Sequence, residues 1–234
     1  MFFEVRMYKS AQGRLQDICH RMRDQLPLML KKHQFPWPLG QWVCVAGPSM
    51  PMYIWMLQWK DLDHRAKCFG SLYSDPEWER IRVSTNGMRD TVIEQRILIM
   101  RHLPCHASLA NLKNTSARQE HRLHELRIQR LQYGLLGASQ QQMEQVDLPA
   151  WDRCGASHLG VFEIISGAPV PSIAHFMSWE SFEARKEGMR QFEVDPLVSQ
   201  AREAEVKKIN NHYLQEFDDY LLEPMPFAVP RPLL

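Results

Sequence analysis

The sequence predicts an α+β fold. Two ferredoxin-like β-α-β-β-α-β repeats set their antiparallel sheets face to face and close an intramolecular α+β barrel. Two observations carry this. The stretch Pro171 to Pro196, PSIAHFMSWESFEARKEGMRQFEVDP, has a counterpart in Pro51 to Pro76, PMYIWMLQWKDLDHRAKCFGSLYSDP. A single offset of 120 residues carries Pro171 onto Pro51, Trp179 onto Trp59, Arg185 onto Arg65 and Asp195-Pro196 onto Asp75-Pro76, with Gly160 on Gly40 and Gly167 on Gly47. Such a gapless match marks a tandem of one unit. The second observation is the order of periodicities, which runs strand, helix, strand, strand, helix, strand in both halves.

In the first half, Phe3, Val5 and Met7 alternate with Glu4, Arg6 and Tyr8, the period of a strand. Leu15, Ile18, Cys19, Met22 and Leu26 then follow helical spacing, with Arg14, Asp17, Arg21 and Arg23 on the wet side. Phe35-Pro36-Trp37-Pro38 reads as a loop. Gln41–Ala46 is the second strand and ends at Gly47-Pro48. Met52–Trp59 is nearly all apolar, so it is expected to be covered on both faces. Asp61 suits an N-cap, and Asp75-Pro76-Glu77 opens another helix with Asp as cap and Pro at its first position. Ile97–Met100 is the fourth strand. In the second half Arg122–Arg130, Val161–Ser166, Ile173–Trp179 and Tyr220–Leu222 are the strands. Leu135–Val146, ending before Pro149, Phe182–Phe192 and Leu197–Tyr213 are the helices. The repeats therefore span 1–103 and 121–226, joined by a polar, aperiodic linker at 104–120. A Pro-rich tail follows at 227–234, where Pro230 and Pro232 cannot continue a sheet.

The chain has 234 residues and a net charge of +1, with Lys and Arg dispersed, so no electrostatic footprint for nucleic acid is present. No apolar run approaches the ~20 residues of a membrane span, and the start, MFFEVRMYK, is strand-like rather than a leader. The cysteines Cys19, Cys44, Cys68, Cys105 and Cys154 are odd in number, scattered and free of CxxC pairs. Reduced thiols and a cytoplasmic location are the expectation.

His175 is the catalytic candidate. It sits in an apolar strand on one face with Ile173, Met177 and Trp179, and imidazole exchanges a proton near neutral pH. The first half has Trp55 at the matching position, which cannot act as a base. A ligand is therefore expected beside His175, Met177 and Trp179, with Trp55 walling the opposite side. Glu4, Arg6, Glu125 and Arg127 share the polar faces of the two first strands. If those faces line the barrel, the four charges must pair, and an Arg fork there can orient a carboxylate or carbonyl ligand. The alternative is a structural ion-pair network. The thirteen Met and seven Trp are core filling that would favour an apolar ligand. His121 and His124 have no carboxylate partner nearby, and no Gly-rich phosphate loop or GxSxG elbow occurs.

Phe3-Glu4-Val5-Arg6 with Tyr8, then His175-Phe176-Met177-x-Trp179 in strand three followed by Glu180-Ser181 and Arg185, then Asp-Pro before a helix, resemble the NIPSNAP family of the dimeric α+β barrel superfamily. The first copy keeps Trp59, Arg65 and Asp75-Pro76-Glu77-Trp78 and departs at Trp55, where the family pattern has His. The resemblance covers residues 2–100 and 122–224. It implies the barrel fold and no single reaction. Some barrels of the superfamily hold haem through a histidine, so His175 or His158 is a candidate axial ligand by resemblance. The expected function is small-molecule binding, with a cofactor-independent enzyme that uses His175 on a largely apolar metabolite set against a non-catalytic scaffold. Neither a cofactor nor a metal is expected, and a homodimer through the outer surfaces is left open.

Overall fold

The structure, a computed structural model, describes residues 1–103 and 122–226. The expected linker and Pro-rich tail lie outside these residues, as do Cys105 and His121. The first repeat contains β1 (Phe2–Ser10), α1 (Leu15–His20), a π-helical turn (Arg21–Gln25), α2 (Leu26–Lys32), β2 (Gly40–Ala46), β3 (Met52–Trp59), α3 (Leu62–Tyr73), α4 (Pro76–Asn86) and β4 (Val92–His102). The second contains β5 (Leu123–Leu131), α5 (Leu136–Gln142), a π-helical turn (Met143–Asp147), α6 (Leu148–Arg153), β6 (Ser157–Ser166), β7 (Ser172–Trp179), α7 (Phe182–Glu193), α8 (Pro196–Ile209) and β8 (Leu214–Pro224).

The helices start where the sequence places their caps. Asp61 accepts from the His64 amide at 2.7 Å, Asp75 from Glu77 at 2.9 Å and Asp195 from Leu197 at 2.9 Å. Three expectations need correction. The helix after β5 does not end before Pro149. The π turn widens it, and Pro149 falls in the first turn of α6, directly after the Leu148 amide reaches back to the Met143 carbonyl. Second, β4 and β8 extend well beyond Ile97–Met100 and Tyr220–Leu222. Their polar ends lack an apolar period but pair through the backbone with β1 and β5. Third, α8 stops at Ile209 rather than Tyr213, because Asn210 takes the left-handed conformation at φ 54°.

The eight strands form a closed barrel in the order β1-β3-β2-β8-β5-β7-β6-β4. Each repeat supplies a four-stranded antiparallel sheet, and two seams, β2–β8 and β4–β6, join them. The edge strands of each sheet are thus paired with the other sheet. One matched glycine pair of the repeat, Gly47 and Gly167, sits at these seams. Gly167 has φ +95°, and a Cβ there would lie 1.8 Å from the Ile97 carbonyl oxygen. Gly47 is at φ +153°, and its Cβ would lie 3.0 Å from that of Asp219. No helix among the described residues is long and apolar enough to cross a membrane.

Apolar side chains fill the barrel. Phe3, Val5 and Met7 of β1 meet Ile54 and Met56 of β3, Leu126 and Ile128 of β5, and Ala174 and Phe176 of β7 in one buried cluster. Trp42 donates from Nε1 to His124 Nδ1 at 3.0 Å inside it. The opposite strand faces carry Glu4, Arg6, Glu125 and Arg127, and they lie beneath the helices. The charges therefore do not line the barrel, and of the two readings the ion-pair network is the one that matches their contacts. Both faces of each sheet are buried, and alternation alone does not say which one turns inward.

Candidate functional site

Each repeat builds a charge cluster and a cavity between its sheet and its helices. In the first, Glu4 is fully buried and both of its oxygens are doubly engaged. Oε1 accepts from Arg6 Nη1 at 2.7 Å and Arg65 Nη2 at 2.9 Å. Oε2 accepts from Trp59 Nε1 and Arg65 Nε, each at 2.7 Å. In the second, Glu125 accepts from Arg127 Nη2 at 3.1 Å, Trp179 Nε1 at 2.8 Å and Arg185 at 2.7 and 3.1 Å. Here a second carboxylate joins. Asp219 accepts from Arg127 at 2.7 and 2.9 Å and from Arg185 at 3.1 Å. Four charges thus balance in the second repeat. In the first, two guanidiniums share one carboxylate, and Arg6 turns its Nε to the Tyr8 hydroxyl at 2.8 Å.

Above the second cluster lies a cavity of about 460 Å3. Its apolar wall includes Leu131, Met143, Trp151, Ile173, Met189 and Phe192, and its polar wall includes Arg127, Gln142, Asp147, Arg202 and Glu205. Asp147 ends the π turn, and its carboxyl is half-buried against the cavity. Burial pushes that carboxyl up to about 7; the Arg202 charge opposes the shift and the Glu205 charge adds to it. Glu205 is itself buried and accepts from Gln142 Nε2 and, at 2.8 Å, from the Tyr213 amide.

His175 does not border this cavity. It is fully buried under the helix layer, and its Nε2 lies 2.8 Å from His158 Nδ1, with the rings stacked at 4.9 Å. His158 Nε2 in turn lies 3.1 Å from the Leu148 carbonyl. Burial is the main cause that lowers the His158 pKa, while the Leu148 carbonyl and the Asp152 charge oppose it. The expectation that His175 meets a ligand directly is thus corrected, and neither imidazole is turned to that cavity as an axial haem ligand would be. Met177 and Trp179 are likewise buried in the layer between β7 and the helices. Of the expected ligand-facing residues, Arg127 borders the second cavity and Trp55 the first, while Glu4, Glu125, Arg6, Met177 and Trp179 border neither. Among the described residues no three His, Cys, Asp or Glu side chains cluster as a metal site would require.

The sequence model of the NIPSNAP family matches residues 3–105. The first repeat is a NIPSNAP domain. No curated protein matches the chain in sequence. Among solved structures, the chain is similar to a Lactobacillus acidophilus protein provisionally named a monooxygenase, at 8% identity and a TM-score of 0.54, with 95% of this chain and 93% of that one covered. It is similar to an anthrone oxidase-like protein at 12% identity and a TM-score of 0.54, covering 96% and 91%. A Fusobacterium nucleatum protein, also provisionally named a monooxygenase, aligns at 4% identity and a TM-score of 0.54, covering 95% and 91%. These likenesses establish the α+β barrel fold.

Within the NIPSNAP domain the motif residues are structural. Trp59 and Arg65 hold Glu4, and Asp75 caps α4 while accepting from His33 at 2.7 Å. Trp179 and Arg185 hold Glu125 in the second repeat in the same way. Sequence reasoning missed Asp147 and Glu205. Asp147 stands in a run, Met143–Asp147, whose polarity resembles an exposed helix face, and only the π turn brings it to the cavity.

Proposed function

We propose that this protein binds a small, largely apolar molecule in the second-repeat cavity and moves a proton to or from it without a bound cofactor. The observation that carries the reading is the place of the Asp147 carboxyl in a wall that joins apolar side chains to the Arg127 and Arg202 guanidiniums and the Glu205 carboxylate, where burial pushes its pKa up to about 7. A carboxyl with a pKa near the ambient pH serves as both acid and base. A guanidinium in the same wall stabilises the oxyanion that proton removal creates. Two barrels of the same fold carry monooxygenase names and one an oxidase name, which is compatible with an apolar substrate.

In this reading His175 is a positioning residue. It holds His158, His158 meets the Leu148 carbonyl, and Leu148 follows Asp147 in the chain. The pair therefore fixes the end of the π turn that presents the carboxyl.

Native mass spectrometry of the purified full chain would identify a retained small molecule, and incubation would follow its consumption. Turnover is expected to show an inflection near pH 7, to vanish in Asp147→Asn, and to keep its chemistry at a lower rate with a shifted profile in His175→Gln. Turnover that survives Asp147→Asn rejects the assignment. A bound molecule that is never consumed leaves the second reading, a non-catalytic binding protein. One observation favours that reading: Arg127 is already engaged by Glu125 and Asp219.

A further inference from the structure

The first repeat has its own cavity, of about 450 Å3, in the equivalent place. Its charged wall groups are two cations, Arg21 and Arg82, and one acid, Asp90, whereas the second cavity sets Asp147 and Glu205 beside Arg127 and Arg202. Arg21, from the first π turn, is 9% exposed and borders the cavity. It donates from Nε to Thr85 Oγ1 at 2.7 Å, and from Nη2 to Asn86 Oδ1 and, at 3.2 Å, to Thr91 Oγ1. All three acceptors are neutral, and among the described residues no carboxylate lies within ion-pair distance of Arg21. The second repeat reverses this arrangement. There Gln142 faces Glu205 across the same helix pair, so a neutral donor meets a buried carboxylate.

Three further observations point the same way. Arg82 borders the cavity as a second cation. Burial, then the Arg82 charge, lowers the pKa of Arg21, and the opposing Asp17 charge does not offset them. Beneath the cavity, Arg6 and Arg65 share Glu4 alone, and the Arg6 guanidinium stands 4.6 Å from the Phe69 ring and 5.9 Å from the Trp55 ring, both of which line the cavity. The acidic group on the wall is Asp90, which is exposed and accepts from Asn86 Nδ2 at 2.8 Å.

We propose that the first-repeat cavity binds a small amphipathic carboxylate, with the carboxylate on Arg21 and Arg82 and the apolar body against Trp55, Phe69 and Tyr8. A buried guanidinium with neutral partners is ready to form a charge-assisted pair, and its desolvation cost is already met by folding. The aromatic walls exclude water from that pair and accept a ring or short chain. The site is independent of the second-repeat reading, because Arg21 borders the first cavity and Asp147 the second.

The test uses the full chain with 4-phenylbutyrate and its neutral counterpart 4-phenylbutan-1-ol, followed by calorimetry and tryptophan fluorescence. The acid is expected to bind saturably and at least about tenfold more tightly than the alcohol. Arg21→Gln, which copies the residue of the second repeat, is expected to remove that preference. Arg82→Gln, an exposed change, is expected to reduce it by about threefold and keeps the proposal testable if Arg21→Gln does not fold. Trp55→Leu is expected to weaken acid and alcohol alike. Absence of saturable acid binding, equal affinities for acid and alcohol, or a preference that survives the arginine changes would overturn the proposal.

Discussion

Glu4→Gln and Glu125→Gln are the same isosteric change at equivalent points of the two repeats, yet they are expected to cost different amounts. Each oxygen of Glu4 accepts two hydrogen bonds, from Arg6 and Arg65 on one side and Trp59 and Arg65 on the other. Whichever way the glutamine amide turns, its NH2 meets two donors, so at least two bonds are lost and a charge is removed. Hydrogen bonds to charged groups contribute about 1.5–3 kcal/mol each, and breaking a buried ion pair costs about 3–5 kcal/mol. Glu4→Gln is expected at about 3–5 kcal/mol, because Arg6 and Arg65 then share no carboxylate. Glu125→Gln loses as many bonds but leaves Asp219 on both Arg127 and Arg185. Its expected cost is about 1–3 kcal/mol. Urea denaturation of the full-length variants reads the difference as a shift in midpoint at constant slope. Equal losses, or a larger one for Glu125→Gln, would refute the view that Asp219 compensates the second cluster.

At the β4–β6 seam, Gly167→Ala sets a Cβ 1.8 Å from a backbone oxygen in a left-handed conformation. It should destabilise the protein by more than about 3 kcal/mol. Gly47→Ala, with its closest contact at 3.0 Å, should cost about 1–2 kcal/mol, and thermal melting that reverses this ranking would count against the seam geometry. Burial, then the Arg122 charge, pushes the His124 imidazole down to about 4 from its ordinary 6.5. The unfolded chain therefore takes up a proton between these values that the folded protein refuses. The His124 contribution to stability should be level above pH 6.5 and fall on acidification through the window to pH 4, by on the order of 2–3 kcal/mol, read as the difference between the native and His124→Asn profiles because the raised Asp147 carboxyl acts in the opposite sense over the same window. A difference unchanged between pH 7 and pH 5 would exclude that role.

The architecture was legible because its signals are local and repeated. Asp61, Asp75 and Asp195 cap helices wherever they occur, and the matched glycines, prolines and tryptophans recur at one offset. The orientation of the strands was not legible. Phe3, Val5 and Met7 share a face, and so do Glu4, Arg6 and Tyr8, but in a sheet covered on both sides either face can be the inner one. What decides is tertiary: Trp59 and Arg65 arrive from β3 and α3 to satisfy Glu4 on the helix side of the sheet. The candidate site was read only in part. His175 stood out as a polar residue in an apolar strand, but its partner His158 comes from the neighbouring strand and becomes visible only with the β6–β7 register. Asp147 and Arg21 depend on the π turns, whose extra residue per turn moves side chains off the helical period.

The two seams have a consequence for how the cavities can change. When a barrel closes from two identical chains, every substitution lands twice, and a residue that suits one cavity is imposed on the other. Here both sheets belong to one polypeptide, so a codon alters one wall at a time. Trp55 and His175, Arg21 and Gln142, Thr85 and Glu205, and Ile97 and Asp219 differ between the repeats, which no symmetric pair of chains would permit. Closure is also unimolecular, so the partner sheet is present at a fixed effective concentration and dilution cannot open the barrel.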